Sequence, residues 1–129
     1  MINELAKQAH QNQVNKGFVT EGTQRNFGEI IALIHSELSE ALEGSREGIK
    51  EPKFGEKFFV EQEIDKIKST TEPTPIYDTV KKSIGFELAD AVIRILGATK
   101  EIGIEDFEWY ITTKMKYNSK RPFRHNKLY

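Results

Sequence analysis

The chain predicts an all-α protein, and three observations carry that reading. Two long runs place apolar residues at three- and four-residue steps, a third, shorter run does the same, and the stretches between them are rich in Gly, Pro and charge. With 129 residues there is room for one globular domain and none for a second.

In chain order, residues 3–16 are rich in helix formers and stop at Gly17, a residue suited to a helix C-terminus. Residues 18–26 mix Gly, Thr and Asn and read as a loop, with Asn26 as the N-cap of the next helix. From Phe27 to about Glu47, Ile30, Ile31, Ile34, Leu38, Ala41 and Leu42 trace one buried helical face. From Ile84 to Ile102, Leu88, Ala89, Val92, Ile93, Ile95, Leu96 and Thr99 form a wide apolar face that ends at Gly103. A last helix is predicted from Asp106 to Lys120, where Phe107, Tyr110, Ile111 and Met115 keep helical spacing and Pro122 ends the ladder.

The segment between the two strongest helices, residues 44–83, holds three prolines, three glycines and many charges. Residues 57–68 suit a short helix, whereas 70–75 (TTEPTP) is expected to be extended or a turn, because a residue before proline is pushed out of the α region. Its charge and proline content argue against a core. Residues 51–82 therefore read as an inserted accessory element, lying over the mouth of a site or against a neighbouring subunit.

Charge and composition narrow the function classes. The formal net charge of −1, with both signs dispersed, gives no basic field for polymeric nucleic acid. The absence of cysteine removes disulfides, thiolate metal sites and cysteine nucleophiles, which leaves carboxylates and histidines as ligands. No apolar signal core and no run of about 20 apolar residues is present, so a cytoplasmic protein without a membrane span is expected.

Glu37 and Glu40 lie three residues apart, which on a helix places them on adjacent turns, separated by roughly 60° and about 4.5 Å of rise. Glu87 and Asp90 repeat the spacing on the second strong helix. If those helices meet through their apolar faces, four acids converge, and an oxygen-only set suits Mg²⁺, or Mn²⁺, better than zinc. The same spacing is also that of ordinary solvated positions. Glu87 and Asp90 in particular sit opposite the widest apolar arc, near Arg94, with only Ala91, Gly97 and Ala98 hinting at an approaching helix. On the last helix, Phe107, Ile111, Lys114, Asn118 and Arg121 share a narrow sector that turns from apolar to polar. That fits either a helix end in a phosphate-binding cleft or a solvated terminus whose cations complement the macrodipole. His10 and His35 have no histidine partner at i+4 and read as supporting or structural residues.

The full arrangement, NFGEIIALIHSELSEALEGSREG followed by IGFELADAVIRILGATKEIGIEDFEWYITTKMKYNSKRPFRHNKLY, resembles the MazG-like, all-α nucleoside triphosphate pyrophosphohydrolases. The likeness covers the first 48 residues, with the string AHQNQVNKGF, and residues 84–129. It implies Mg²⁺ coordination by Glu37, Glu40, Glu87 and Asp90, and nucleotide contacts from Lys114, Asn118 and Arg121. It also implies hydrolysis of a nucleoside or deoxynucleoside triphosphate to the monophosphate and pyrophosphate, with Glu37 or Glu40 as general base. The chain departs from that pattern in its long stretch between the acid pairs, and in reading His125-Asn126-Lys127 where glycine is frequent at the middle position.

The expected architecture is an antiparallel helical bundle completed by oligomerisation, as a homodimer or homotetramer, because residues 84–99 present more apolar surface than so short a chain can cover. Two rival readings remain. A di-iron carboxylate bundle would need Glu-x-x-His on two helices, and neither pair supplies the histidine. A helical module that binds nucleotides without catalysis would not require all four acids.

Overall fold

The computed structural model describes residues 1–122, which form six helices and, among the described residues, no strand. They are α1 (Ile2–Asn15), α2 (Phe27–Glu47), α3 (Phe54–Lys66), α4 (Pro75–Val80), α5 (Ile84–Glu101) and α6 (Phe107–Ser119). The His125-Asn126-Lys127 reading lies outside the described residues. None of the described helices is long and apolar enough to cross a membrane. The chain divides into two compact units, Met1–Arg25 with Ile95–Tyr129, and Asn26–Arg94, so that α5 passes from the second into the first.

In the first unit, Ala6 and Ala9 of α1 meet Leu96 of α5, with Ile2 and Phe107 packed against them. Burying Leu96 contributes about 2 kcal/mol. The starts of α1 and α6 cap each other. Glu108 accepts hydrogen bonds from the Met1 ammonium (3.2 Å) and the Ile2 N–H (2.8 Å), while Asn3 accepts from the Glu108 N–H (3.0 Å) and donates to Asp106 (2.8 Å). Asp106 in turn accepts from the Trp109 N–H at 3.2 Å, satisfying another of the helix's free donors. Gly97 faces the Gln13 side chain, so the small residue foreseen there does mark an approaching helix, α1.

In the second unit, Asn26 caps α2 by accepting from the Glu29 N–H at 3.2 Å. The helix ends at Gly48, which is left-handed (φ 70°), while the Ile49 N–H closes back on the Gly44 carbonyl at 3.1 Å. The inserted segment holds two helices, not one. Pro75 opens α4 with the fixed φ that a first helical position favours, and Glu63 of α3 accepts from the Ile76 N–H at 2.9 Å and 3.1 Å. Val60 and Val80 are buried and so are Thr74 and Ser83. Each of the two short helices thus buries one valine despite the surrounding charge.

The larger correction concerns the apolar faces. On α2 the buried stripe is Ile30, Glu37, Ala41 and Gly44, whereas Ile31, Leu38 and Leu42 are exposed. On α5, Glu87 and Ala91 are buried while Leu88, Val92 and Ile93 are exposed. The two helices therefore do not meet through the leucine faces to which the sequence pattern pointed. The buried stripes combine the acids with the small residues Ala41, Gly44 and Ala91, and Gly44 sits so close to the Lys82 carbonyl oxygen that a Cβ would overlap it.

Candidate metal centre

The acid-bearing edges of α2 and α5 face each other. Glu37, Glu87 and Asp90 each offer a carboxylate oxygen, and these oxygens lie within 4.8 Å of one another. Glu37 and Glu87 are only 9% and 6% exposed, so they are not the solvated positions that spacing alone allowed. Asp90 stands at the open side. Three oxygens at this separation, with neither sulfur nor imidazole among them, suit a hard divalent cation.

Glu40 is outside this closest trio but next to Glu87, with which it lines a small groove. Burial raises the Glu87 pKa above the usual carboxylate value, and the charge of Glu40, the charge of Asp90, a hydrogen bond shared with Glu40 and the charge of Glu37 push it the same way. Asp90 is also raised, first by lost hydration and then by Glu37, with Arg94 opposing and Glu40 adding a little. Two acids thus resist ionisation, first through lost hydration and then through the charges of their acidic neighbours. A divalent cation placed among these oxygens would supply positive charge.

Arg94 supplies part of it. One turn after Asp90 on α5, its Nε donates to Glu37 in an ion pair. From the sequence, Arg94 stood out only as a neighbour. The i, i+4 step from Asp90 was the available signal, but that step also describes an ordinary surface pair, and only the facing of α2 turns the guanidinium onto Glu37.

No family model, characterised protein or solved structure matches the chain.

The nucleotide-contact candidates belong to the first unit, at the exposed end of α6. Lys114 and Arg121 flank the Tyr117 ring, at 5.1 Å and 5.9 Å from its centroid, and Asn118 accepts the Arg121 N–H on its backbone carbonyl at 3.2 Å. Phe107 and Ile111 on the earlier turns are half-buried, as the change of character along that sector foresaw. Tyr117, which nothing in the sequence pattern singled out, is the residue that holds the two cations together. His35 is exposed, and His10 is half-buried with an Nδ1 that lacks a hydrogen-bond partner; neither joins the carboxylates.

Proposed function

We propose that the chain is a Mg²⁺-dependent nucleoside triphosphate pyrophosphohydrolase of the MazG-like kind, with Mn²⁺ as an alternative ion. The observation that supports this most is the meeting of Glu37, Glu87 and Asp90, two of them buried, on one edge of two helices. Mg²⁺ held there would polarise phosphate oxygens and lower the pKa of the attacking water. The reaction cleaves the α–β anhydride: water oxygen bonds to phosphorus, pyrophosphate leaves, and a carboxylate takes the water's proton. Glu40 suits that last role better than Glu37, because it is exposed beside the trio whereas Glu37 is engaged by Arg94. Lys114, Asn118 and Arg121 are assigned to the phosphates and sugar.

Incubation with a panel of nucleoside and deoxynucleoside triphosphates and Mg²⁺ tests the reading, with stoichiometric monophosphate and pyrophosphate as the expected products. Release of orthophosphate alone, or no turnover, would refute it. The Arg94–Glu37 ion pair favours a second reading, a helical module that binds nucleotides without cleaving them, since part of the acid charge is already neutralised. Tight nucleotide binding without pyrophosphate release would select it.

The same proposal includes a second copy of the chain over the exposed stripe of Ile31, Leu38, Leu42, Leu88, Val92 and Ile93, each 37–53% exposed. Sedimentation should show a dimer or tetramer at micromolar concentration, and Leu38→Glu should shift it toward monomer.

A further inference from the structure

The inserted helices do more than bury two valines. In the second unit they border a cavity of about 630 Å³, whose walls include Val60, Ile64, Tyr77 and Phe86 and whose rim includes Glu61 and Asp65. Small-molecule sites commonly measure about 300–1,000 Å³ and combine apolar walls with a few polar groups. We propose that this cavity seats the base of the nucleotide whose phosphates the carboxylate centre holds, and that its rim favours a base carrying an exocyclic amino group. The inference rests on the pyrophosphohydrolase reading of that centre.

Continuity with the carboxylates is the first argument. Phe86 immediately precedes Glu87 on α5, so one turn of helix supplies both a wall of the cavity and a ligand of the centre. Tyr77 meets Phe86 edge to face, with ring centroids 5.3 Å apart and planes at 89°. The Tyr77 hydroxyl is held above its ordinary pKa, first by burial and then by the charge of Asp90, with Lys81 opposing and Glu87 adding to it. A ligand anchored at Glu87 would have the Phe86 wall of the cavity one residue away along α5.

The chemistry of the lining is the second argument. Both rings are half-buried, and an aromatic pair with accessible surface is a stacking platform for a planar heterocycle. Lys57, Glu61 and Asp65 follow one another at four-residue steps along α3, which lines them up on one face. Glu61 and Asp65 offer acceptors only, as an exocyclic amino group requires. The carbonyl edge of uracil or thymine would set oxygen against those carboxylates, with Lys57 as the sole compensating donor among the three.

The experiment measures binding of adenosine, uridine and inorganic tripolyphosphate to the full chain, by ligand-detected NMR and calorimetry, with and without Mg²⁺. Adenosine is expected to bind without metal and more tightly than uridine. Ile64→Trp, which fills the cavity from a partly exposed position, should weaken adenosine binding about tenfold or more while leaving Mg²⁺-dependent tripolyphosphate binding unchanged. Asp65→Asn, on the exposed rim, should keep the fold and abolish the preference for adenosine over uridine. The inference is overturned if adenosine does not bind the wild-type chain, or if it binds Ile64→Trp as tightly. It is likewise overturned if adenosine fails to bind and Ile64→Trp instead changes the oligomeric state, since the cavity would then seat a neighbouring copy. Adenosine binding that Ile64→Trp abolishes, with no tripolyphosphate binding in Mg²⁺, would uphold the cavity and refute the metal-centre reading, so the two failures are distinguishable.

Discussion

Each unit buries a glutamate on α5, and the two are treated in opposite ways. Glu101, in the first unit, has a fully buried side chain gripped by Arg25, which donates from its backbone N–H (2.7 Å), Nε (3.0 Å) and Nη2 (2.8 Å). Burial alone would raise its pKa, but the Arg25 hydrogen bonds and charge outweigh this and hold it below the ordinary value. Glu87, in the second unit, is surrounded by other acids, and burial and their charges all push its pKa up. A carboxylate buried for structure is given its cation by the chain, whereas one buried beside further carboxylates has charge to offer to an ion from outside.

The largest expected effect breaks the second half of that comparison. In the Glu40→Gln, Asp90→Asn double variant, pyrophosphate release should fall by about 10³-fold, because two groups that hold charge in the transition state are gone. Metal-free stability should hold or rise, as like charges around Glu87 have been removed. Full activity would refute the assignment.

Breaking the first half should cost stability instead. Arg25→Ala leaves Glu101 buried without its cation, for a loss of about 3 kcal/mol in urea denaturation, with Mg²⁺ binding unaffected. A loss below about 0.5 kcal/mol would mean that water replaces the guanidinium, and that the two glutamates differ less than their surroundings suggest.

Titration sharpens the contrast, because the two sites have opposite signs. Glu101 has a depressed folded pKa, so its stabilisation is present above the unfolded value of about 4 and is lost as pH falls through the folded value. Glu87 and Asp90 have raised folded values, so the folded state holds their protons more tightly than the unfolded chain does. Metal-free stability from that pair is therefore fully present below the unfolded pKa and is lost as pH rises through the folded values. Mg²⁺ should raise the melting temperature at pH 8 and have almost no effect near pH 4.5. An equal Mg²⁺ effect at both would show that the ion binds elsewhere.

Periodicity revealed the four main helices to within about two residues, because their ends are chemically marked: Asn26 and Asp106 as caps, Gly17, Gly48 and Gly103 at positive φ just past the C-termini. On the faces it was right for Ile30, Ala41, Leu96 and Thr99, which are buried, and wrong for Ile31, Leu38, Leu42, Leu88, Val92 and Ile93, which are exposed. A helical wheel ranks faces by hydrophobicity, and it does not see that Glu37 and Glu87 go inside beside the small residues Gly44 and Ala91 while Leu38, Leu42 and Val92 stay out. The acid pairs themselves were legible as spacing, but Arg94, Tyr117 and the cavity beside Phe86 were not. Each depends on contacts between residues far apart in sequence, or on a ring whose neighbours decide its role.

The smallest expected effect concerns the exposed cations of α6. Lys114 and Arg121 are not buried against an acid as Arg25 is; they flank the Tyr117 ring, which orients them without neutralising them. A cation held this way keeps its charge available for a phosphate. Lys114→Ala should accordingly raise KM for the triphosphate about fivefold, with kcat and Mg²⁺ affinity nearly unchanged, since one exposed charge-assisted contact is lost and the ion's ligands are intact. Tyr117→Leu should give a smaller rise, because both cations remain but lose their common platform, while Lys114→Arg should restore most of the affinity. If Lys114→Ala altered metal affinity, or left KM where it was, these residues would be a solvated helix end. The comparison between paired and available charge would then stop at the carboxylates.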